Sequence, residues 1–249
     1  EIADWLAAGK VKNTKLHGGE WFKVEPGPMP DSGEWTHQYG NAGNTTSSNE
    51  KLGGATQTDQ LEVQWVGRPG ADFGIDRQPR MPAPLSSWGR LFHQGMNRMI
   101  ALDAYNGSAL WSLEIPDLRR VNMPRDASNW CTDGKALFVA VKDRCWEIDA
   151  ADGHRKAAHS MPAPYSPETH EWGYVAQAGD LFFGSAVKKE SSYTAFFGKG
   201  MWYDKREPKS AAQVCSEGVF AIGKTDGKVA WSHSEGAVLN PTISIRDNK

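Results

Sequence analysis

Along much of the chain, apolar and polar residues alternate with a period of two, in runs of six to nine residues that stop at glycines or turn dipeptides. Residues 61–67 (LEVQWVG) form one such run; 90–95 (RLFHQG) and 98–104 (RMIALDA) flank a turn at Met96 and Asn97, and 108–115 (SALWSLEI) follows the turn 105–107 (YNG). The same grammar returns at 135–143, 145–150 and 155–161, and again at 180–187, 218–224 and 228–234. Each set predicts three short strands joined by tight turns, with sequence upstream for a fourth. Helical spacing is confined to residues 2–10 (IADWLAAGK), where Ile2, Trp5 and Leu6 share a side and Gly9 offers a stop. A further strand is expected at 19–24 (GEWFKV), and the prolines of 25–33 mark a linker, so a boundary is placed near residue 30. Residues 34–54 are polar and turn-rich, and they read as an extended surface segment.

Aligning the turns gives 101-ALDAYNGSALW-111, 147-EIDAADGHRKA-157 and 221-AIGKTDGKVAW-231. The glycines Gly107, Gly153 and Gly227 are 46 and then 74 residues apart. A propeller blade repeats at ~40 to 50 residues, so the second interval is one blade plus an insertion, assigned to about 188–217. Counting 46 back from Trp111 reaches Trp65, so 61–65 reads as the last strand of an earlier blade. An Asn-Gly or Asp-Gly pair supports the positive φ of a two-residue hairpin turn. Asp103 and Asp149 are placed to accept backbone N–H groups beside it, and Trp65, Trp111 and Trp231 offer a broad face to a neighbouring blade. The copies are imperfect: Ala157 stands where the others have Trp, and Gly223 where they have Asp. A repeated module that cannot bury its own faces predicts an all-β propeller or solenoid.

Composition agrees with this. Eleven Trp beside 26 Gly and 14 Pro suit short strands, tight turns and large packing elements, and 39% hydrophobic residues supply a core. A net charge of -2, with no basic block, argues against a nucleic-acid partner. No apolar run approaches the ~18 residues of a membrane span. Cys131, Cys145 and Cys215 are too scattered for a disulfide framework or a CxxC metal site; a Cys131–Cys145 bridge across a hairpin and three buried thiols both stay open.

The pattern A-x-D-x-x-(T/N/D)-G-x-x-x-W resembles the tryptophan-docking signature of pyrroloquinoline-quinone-type β-propellers, shared by quinoprotein alcohol dehydrogenases and the assembly lipoprotein of the outer-membrane β-barrel machinery. More narrowly, 34-EWTHQYGNAGNT-45, 62-EVQWVGRPG-70 and 101-ALDAYNGSALW-111 resemble planctomycete-type quinoprotein-like propellers. In some of those a methyltransferase-like domain comes first, and 16-LHGGEWFKVEPGPMPDSGEWTH-37 looks like that junction. The resemblance implies four-stranded antiparallel blades and a bacterial protein of the periplasm or cell envelope. About four blade equivalents are expected over 31–249, after the end of an upstream domain and a linker in 1–30. The run 237–249 reads as the first strand of another blade, so the chain is expected to be part of a larger propeller, completed by further sequence or a second chain.

Candidate chemistry lies in the connections. Arg77 and Arg80 in 75–82, with Arg119, Arg120 and Arg125 in 119–130, suit carboxylates, sulfates or sugar hydroxyls, and Trp130 suits a sugar ring. The ligand set read from the sequence is Arg77, Arg80, Arg125, Asn129 and Trp130; the competing reading pairs the arginines with Asp76, Asp117 and Asp126. His170, beside Glu168 and Glu171, is the one local cluster suited to a metal or to proton transfer, against a solvated loop. The insertion, with Tyr193, Phe196, Phe197, Trp202 and Tyr203, reads as a docking element ahead of a ligand lid. For a quinone and calcium, Asp126, Asn129 and Asp133 supply the donor types, yet no adjacent cysteines occur, so neither cofactor nor metal is expected in the chain. The leading function is a binding or assembly scaffold for a partner or a small polar or carbohydrate ligand. The alternative is a quinoprotein-like oxidoreductase whose site is completed outside the chain.

Overall fold

The computed structural model describes residues 14–17, 21–24, 29, 31–67, 82–95, 97–116, 118, 128–188, 215–236 and 238–246. The expected helix at 2–10, the boundary near residue 30 and most of the insertion lie outside these. A short antiparallel hairpin comes first, β1 (Thr14–His17) with β2 (Trp21–Val24).

Three four-stranded antiparallel sheets follow, each a meander in chain order. The first blade is β3 (Leu85–Ser87), β4 (Arg90–Gly95), β5 (Arg98–Asp103) and β6 (Ala109–Glu114). The second is β7 (Trp130–Thr132), β8 (Ala136–Val141), β9 (Arg144–Asp149) and β10 (Arg155–Ser160). The third starts with β11 (His170–Ala178) and β12 (Leu181–Lys188); β13 (Cys215–Ser216) then precedes β14 (Gly218–Gly223) and β15 (Val229–His233), which complete that sheet. The pair β13 and β16 (Val238–Leu239) forms a small sheet of its own. The chain thus has the fold of a partial β-propeller, with three complete blades among the described residues.

The strands read from the sequence are found as the second to fourth strand of every blade. β3 and β7 carry no periodic signal because three residues are too few to show a period, and His170, for which a solvated loop is the competing reading, begins β11. Residues 61–67, expected as a strand, do not form one, with Val63 79% and Val66 92% exposed.

The long turns also differ from expectation. Asn106, Asp152 and Asp226 are not at positive φ; only the glycines are, at 72° for Gly107, 78° for Gly153 and 65° for Gly227. Each turn is a four-residue loop in which the Gly N–H donates to the carbonyl four residues back, that of Asp103, Asp149 or Gly223. The Asn or Asp before the glycine serves through its side chain, accepting the N–H of Ser108, His154 or Lys228. Asp103 accepts from Tyr105 and Asn106, and Asp149 from Ala151, as expected. Where Gly223 replaces Asp, a Cβ would lie 2.3 Å from Asp226 Oδ1, so the neighbouring carboxylate occupies the vacant place. After each loop comes a one-residue bulge, at Leu110, Lys156 and Ala230, which aims the next side chain, Trp111, Ala157 or Trp231, out of the sheet.

The core lies between blades. Leu85, Phe92, Met99, Trp111, Trp130, Leu137 and Ile148 fill the seam between blades one and two. Phe138, Trp172, Phe182 and Phe220 fill the seam between two and three, with Cys131 and Cys145 buried beside them as free thiols whose burial pushes both pKa values up.

Candidate functional site

The meander gives every blade two unlike ends. At one, here the turn end, the connections 88–89, 104–108, 133–135, 150–154, 179–180 and 224–228 never exceed five residues. At the other, the loop end, fall the start of β3 and the strand ends flanking 115–129, 161–169 and 189–214. Propellers place ligand contacts in long connections carried by rigid sheets.

The turn end is closed from within by the segment read as an extended surface stretch. Trp35 exchanges both backbone hydrogen bonds with Ser86 of blade one; Thr36 accepts from the Thr132 N–H of blade two, and His37 Nε2 from the Gln177 N–H of blade three. Farther along, Ala42 accepts from the Ile245 N–H, and the Asn44 side chain donates to Ile243. Residues 34–44 therefore form a strap across all three blades, with His37, Gln38 and Gly40 buried. Its polarity concealed it, because apart from Trp35 and Ala42, which pack on the core, the strap is held by hydrogen bonds. Burial lowers the His37 pKa to about 4, and the ring is neutral at ordinary pH. In that form Nε2 accepts from Gln177 while Nδ1 lies 2.8 Å from Thr36 Oγ1.

Two further devices at the turn end escaped the sequence reading. Trp88 sits at φ 52° in the two-residue turn to Gly89; its N–H donates to Glu34, and its indole lies where a Cβ on Gly134 would be, 2.3 Å from Cδ1. Lys224 Nζ bonds Asp133 at 2.6 Å and rests 5.4 Å from the Phe138 ring, tying blade three to blade two. Burial raises the Asp133 pKa, but hydrogen bonds from Lys224 and Ala136, with the Lys224 charge, outweigh it and leave the carboxyl below its usual range.

Of the predicted ligand set, Arg77, Arg80 and Arg125 lie outside the described residues, as do Arg119 and Arg120. Asn129 and Trp130 stand at the loop end but face inward. Asn129 is 2% exposed and pairs with the Gln94 amide of blade one, and Trp130 is fully buried in the seam. That burial leaves Trp130 no open ring face for a sugar. Buried polar groups continue inward: Ser185, Ser216 and Asn240 share hydrogen bonds, while Asn240 Nδ2 and Trp130 Nε1 have no protein partner among the described residues. His170 does not assemble with its sequence neighbours into a metal cluster among the described residues. Its Nε2 lies 3.0 Å from Glu217, in the bend between β13 and β14, and its Nδ1 2.8 Å from Thr169.

The resemblance to quinoproteins implies a quinone over a tryptophan, beside a cation held by carboxylates and amides. The described residues do not fit it: Asn129 is committed to Gln94, Asp133 to Lys224 and two backbone N–H groups, and Trp130 is enclosed. Asp149, Asp152 and His154 bring ligand atoms within 4.8 Å of one another, but on an exposed outer turn where Lys156, Ala151 and the His154 N–H already bind the carboxylates.

The seam contacts repeat at the outer rim. Trp65 Nε1 donates to the Ala104 carbonyl at 2.9 Å, and its ring lies on Gly107, 2.5 Å from where a Cβ would sit. Trp111 Nε1 donates to Ala150 at 3.1 Å, and its ring lies on Gly153, 2.7 Å from such a Cβ. In both, the carbonyl belongs to the residue three before the glycine. At the next seam Ala157 has no ring to offer, and nothing lies within 4 Å of a Cβ on Gly227.

No family model and no curated protein matches the chain. Solved structures similar to part of it include a europium-containing methanol dehydrogenase, 16% identical with a TM-score of 0.41, over 62% of this chain and 32% of that one. BamB from Moraxella catarrhalis is 11% identical with a TM-score of 0.38, over 60% of this chain and 38% of that one. The quinohemoprotein alcohol dehydrogenase ADHIIG from Pseudomonas putida HK5 is 16% identical with a TM-score of 0.47, over 80% of this chain and 26% of that one. The chain thus spans well under half the length of each. The blade assignment rests on the chain's own three sheets.

Proposed function

We propose that the chain is a binding scaffold of quinoprotein-like propeller type, in the periplasm or cell envelope, whose loop end takes up a polar ligand or partner through Arg77, Arg80 and Arg125. The observation that supports this reading is the division of the two ends. The strap and short turns occupy the turn end, while the long connections that carry these arginines all leave from strand ends at the other. Guanidinium groups suit carboxylate or sulfate. Isothermal titration with glucuronate and with a sulfated disaccharide tests it, on the chain and on an Arg77→Ala/Arg80→Ala/Arg125→Ala variant. Saturable binding that the triple variant weakens at least ~10-fold is expected, since one charged hydrogen bond contributes about 1.5–3 kcal/mol. Absence of binding to both, or equal binding by the variant, contradicts the reading.

A further inference from the structure

We infer that Asn106, in the long turn of the first blade, is a site of spontaneous deamidation, and that its isoaspartate product releases Trp65 from that blade.

Asn106 is the only asparagine of the chain followed by glycine, and it is exposed. Its side chain folds back over the next peptide, where Oδ1 accepts the Ser108 N–H at 2.8 Å. That bond lays the amide along the Gly107 peptide and draws electron density from Cγ. Gly107 has no Cβ to screen its nitrogen from attack.

The step is intramolecular and consumes only water. The Gly107 nitrogen, its proton given to hydroxide, attacks Asn106 Cγ and closes a succinimide ring; the Cγ–Nδ2 bond breaks, and the nitrogen leaves as ammonia with a proton from water. Water then opens the ring. Opening at Cγ gives a normal aspartate, whereas opening at the α-carbonyl gives isoaspartate, whose main chain runs through the side-chain carbon and is longer by a methylene.

Two contacts restrain this chemistry. The Gly107 N–H donates to the Asp103 carbonyl at 2.9 Å, and the Trp65 ring lies on Gly107 while its Nε1 donates to Ala104. The nitrogen is therefore free to react only when the turn opens, and Trp65 is the latch. That latch is lightly seated, since Val63 and Val66 of the same segment are 79% and 92% exposed.

The two products differ in consequence. Aspartate already holds the matching positions of the other blades, where Asp152 and Asp226 accept the His154 and Lys228 N–H groups, so that product leaves turn and latch in place. Isoaspartate lengthens a tight loop whose glycine sits against an indole, and the hold of Trp65 on Gly107 and Ala104 is lost. Deamidation requires no ligand, so it stands or falls apart from saccharide binding at the loop end.

The test is peptide mass mapping of the full chain held at mildly alkaline pH, with isoaspartate detected by enzymatic methylation and the chain in urea as the unrestrained reference. Exchange of NH for O should accumulate at Asn106 in the folded chain, more slowly than in urea. Trp65→Ala should speed it at least ~5-fold, the factor that about 1 kcal/mol of lost latch represents. If the alanine variant does not fold, Trp65→Phe, which removes the indole bond to Ala104, makes the same comparison. In chain labelled with 5-fluorotryptophan, the Trp65 signal, assigned through Trp65→Phe, should move in the isoaspartate fraction and stay in place in Asn106→Asp. An Asn106 that stays intact in the folded chain after the urea sample has reacted overturns the inference. So do equal rates with and without the Trp65 indole, or a Trp65 signal unmoved in the isoaspartate fraction.

Discussion

Three glycines in one sequence position separate two reasons for being glycine. Gly153 needs both a positive φ and an open α-carbon face for Trp111, whereas Gly227 needs only the φ. Gly227→Ala should cost about 1–2 kcal/mol, the strain of a left-handed backbone. Gly153→Ala should cost about 3–5 kcal/mol, because the new methyl also lifts an indole out of its seam. Urea denaturation of the two variants checks this, and equal losses would count against the seam contact. The sequence showed that these positions were special without showing the mechanism. An Asp-Gly pair suggests a two-residue turn, yet here the carboxylate folds back onto the chain and the loop is four residues long.

Among the elements, the strap and the Lys224 tie were the least legible. Strands β4 to β6, β8 to β10, β12, β14 and β15 announce themselves as short apolar-rich runs bounded by glycines and turn residues, some half-buried as in β5 and others buried on both faces as in β8. Residues 34–44 give no such signal, since a segment held by backbone hydrogen bonds needs no apolar face. Their burial makes stability depend on pH through His37. Its pKa falls from 6.5 unfolded to about 4 folded, so between these values the unfolded chain takes up a proton that the folded chain refuses. Stability is therefore full above pH 6.5 and is lost as pH falls toward 4, with about 2 kcal/mol gone between pH 7 and 5. Urea midpoints across that range should fall for the wild type and flatten for His37→Gln; parallel curves would remove His37 as the cause. The Lys224–Asp133 pair ties the same two blades between which Ala157 offers no ring. Lys224→Met should cost about 1–3 kcal/mol by stranding a half-buried carboxylate. Adding Asp133→Asn should recover part of that, and a double-mutant cycle with no coupling would show the tie to be incidental.

At the scale of the whole molecule, the blades, the closed turn end and the uncovered third face follow from one repeat read through its imperfections. The repeat was legible because turn glycines and tryptophans recur at fixed spacing. The candidate ligand site was only partly so: the sequence placed Asn129 and Trp130 in a loop, but β7 draws both into the seam. That leaves Arg77, Arg80 and Arg125 as the proposed ligand contacts to test, and Trp231 on an exposed face of the third blade. The most direct test of this architecture compares Trp111→Ala with Trp231→Ala by urea unfolding of the intact chain. Trp111→Ala should lose about 3–5 kcal/mol, as expected for an indole removed from a packed interior, and Trp231→Ala less than ~1 kcal/mol, as expected for a surface substitution. Comparable losses at the two positions, or the larger loss at Trp231, would contradict the account of one sealed seam and one open face.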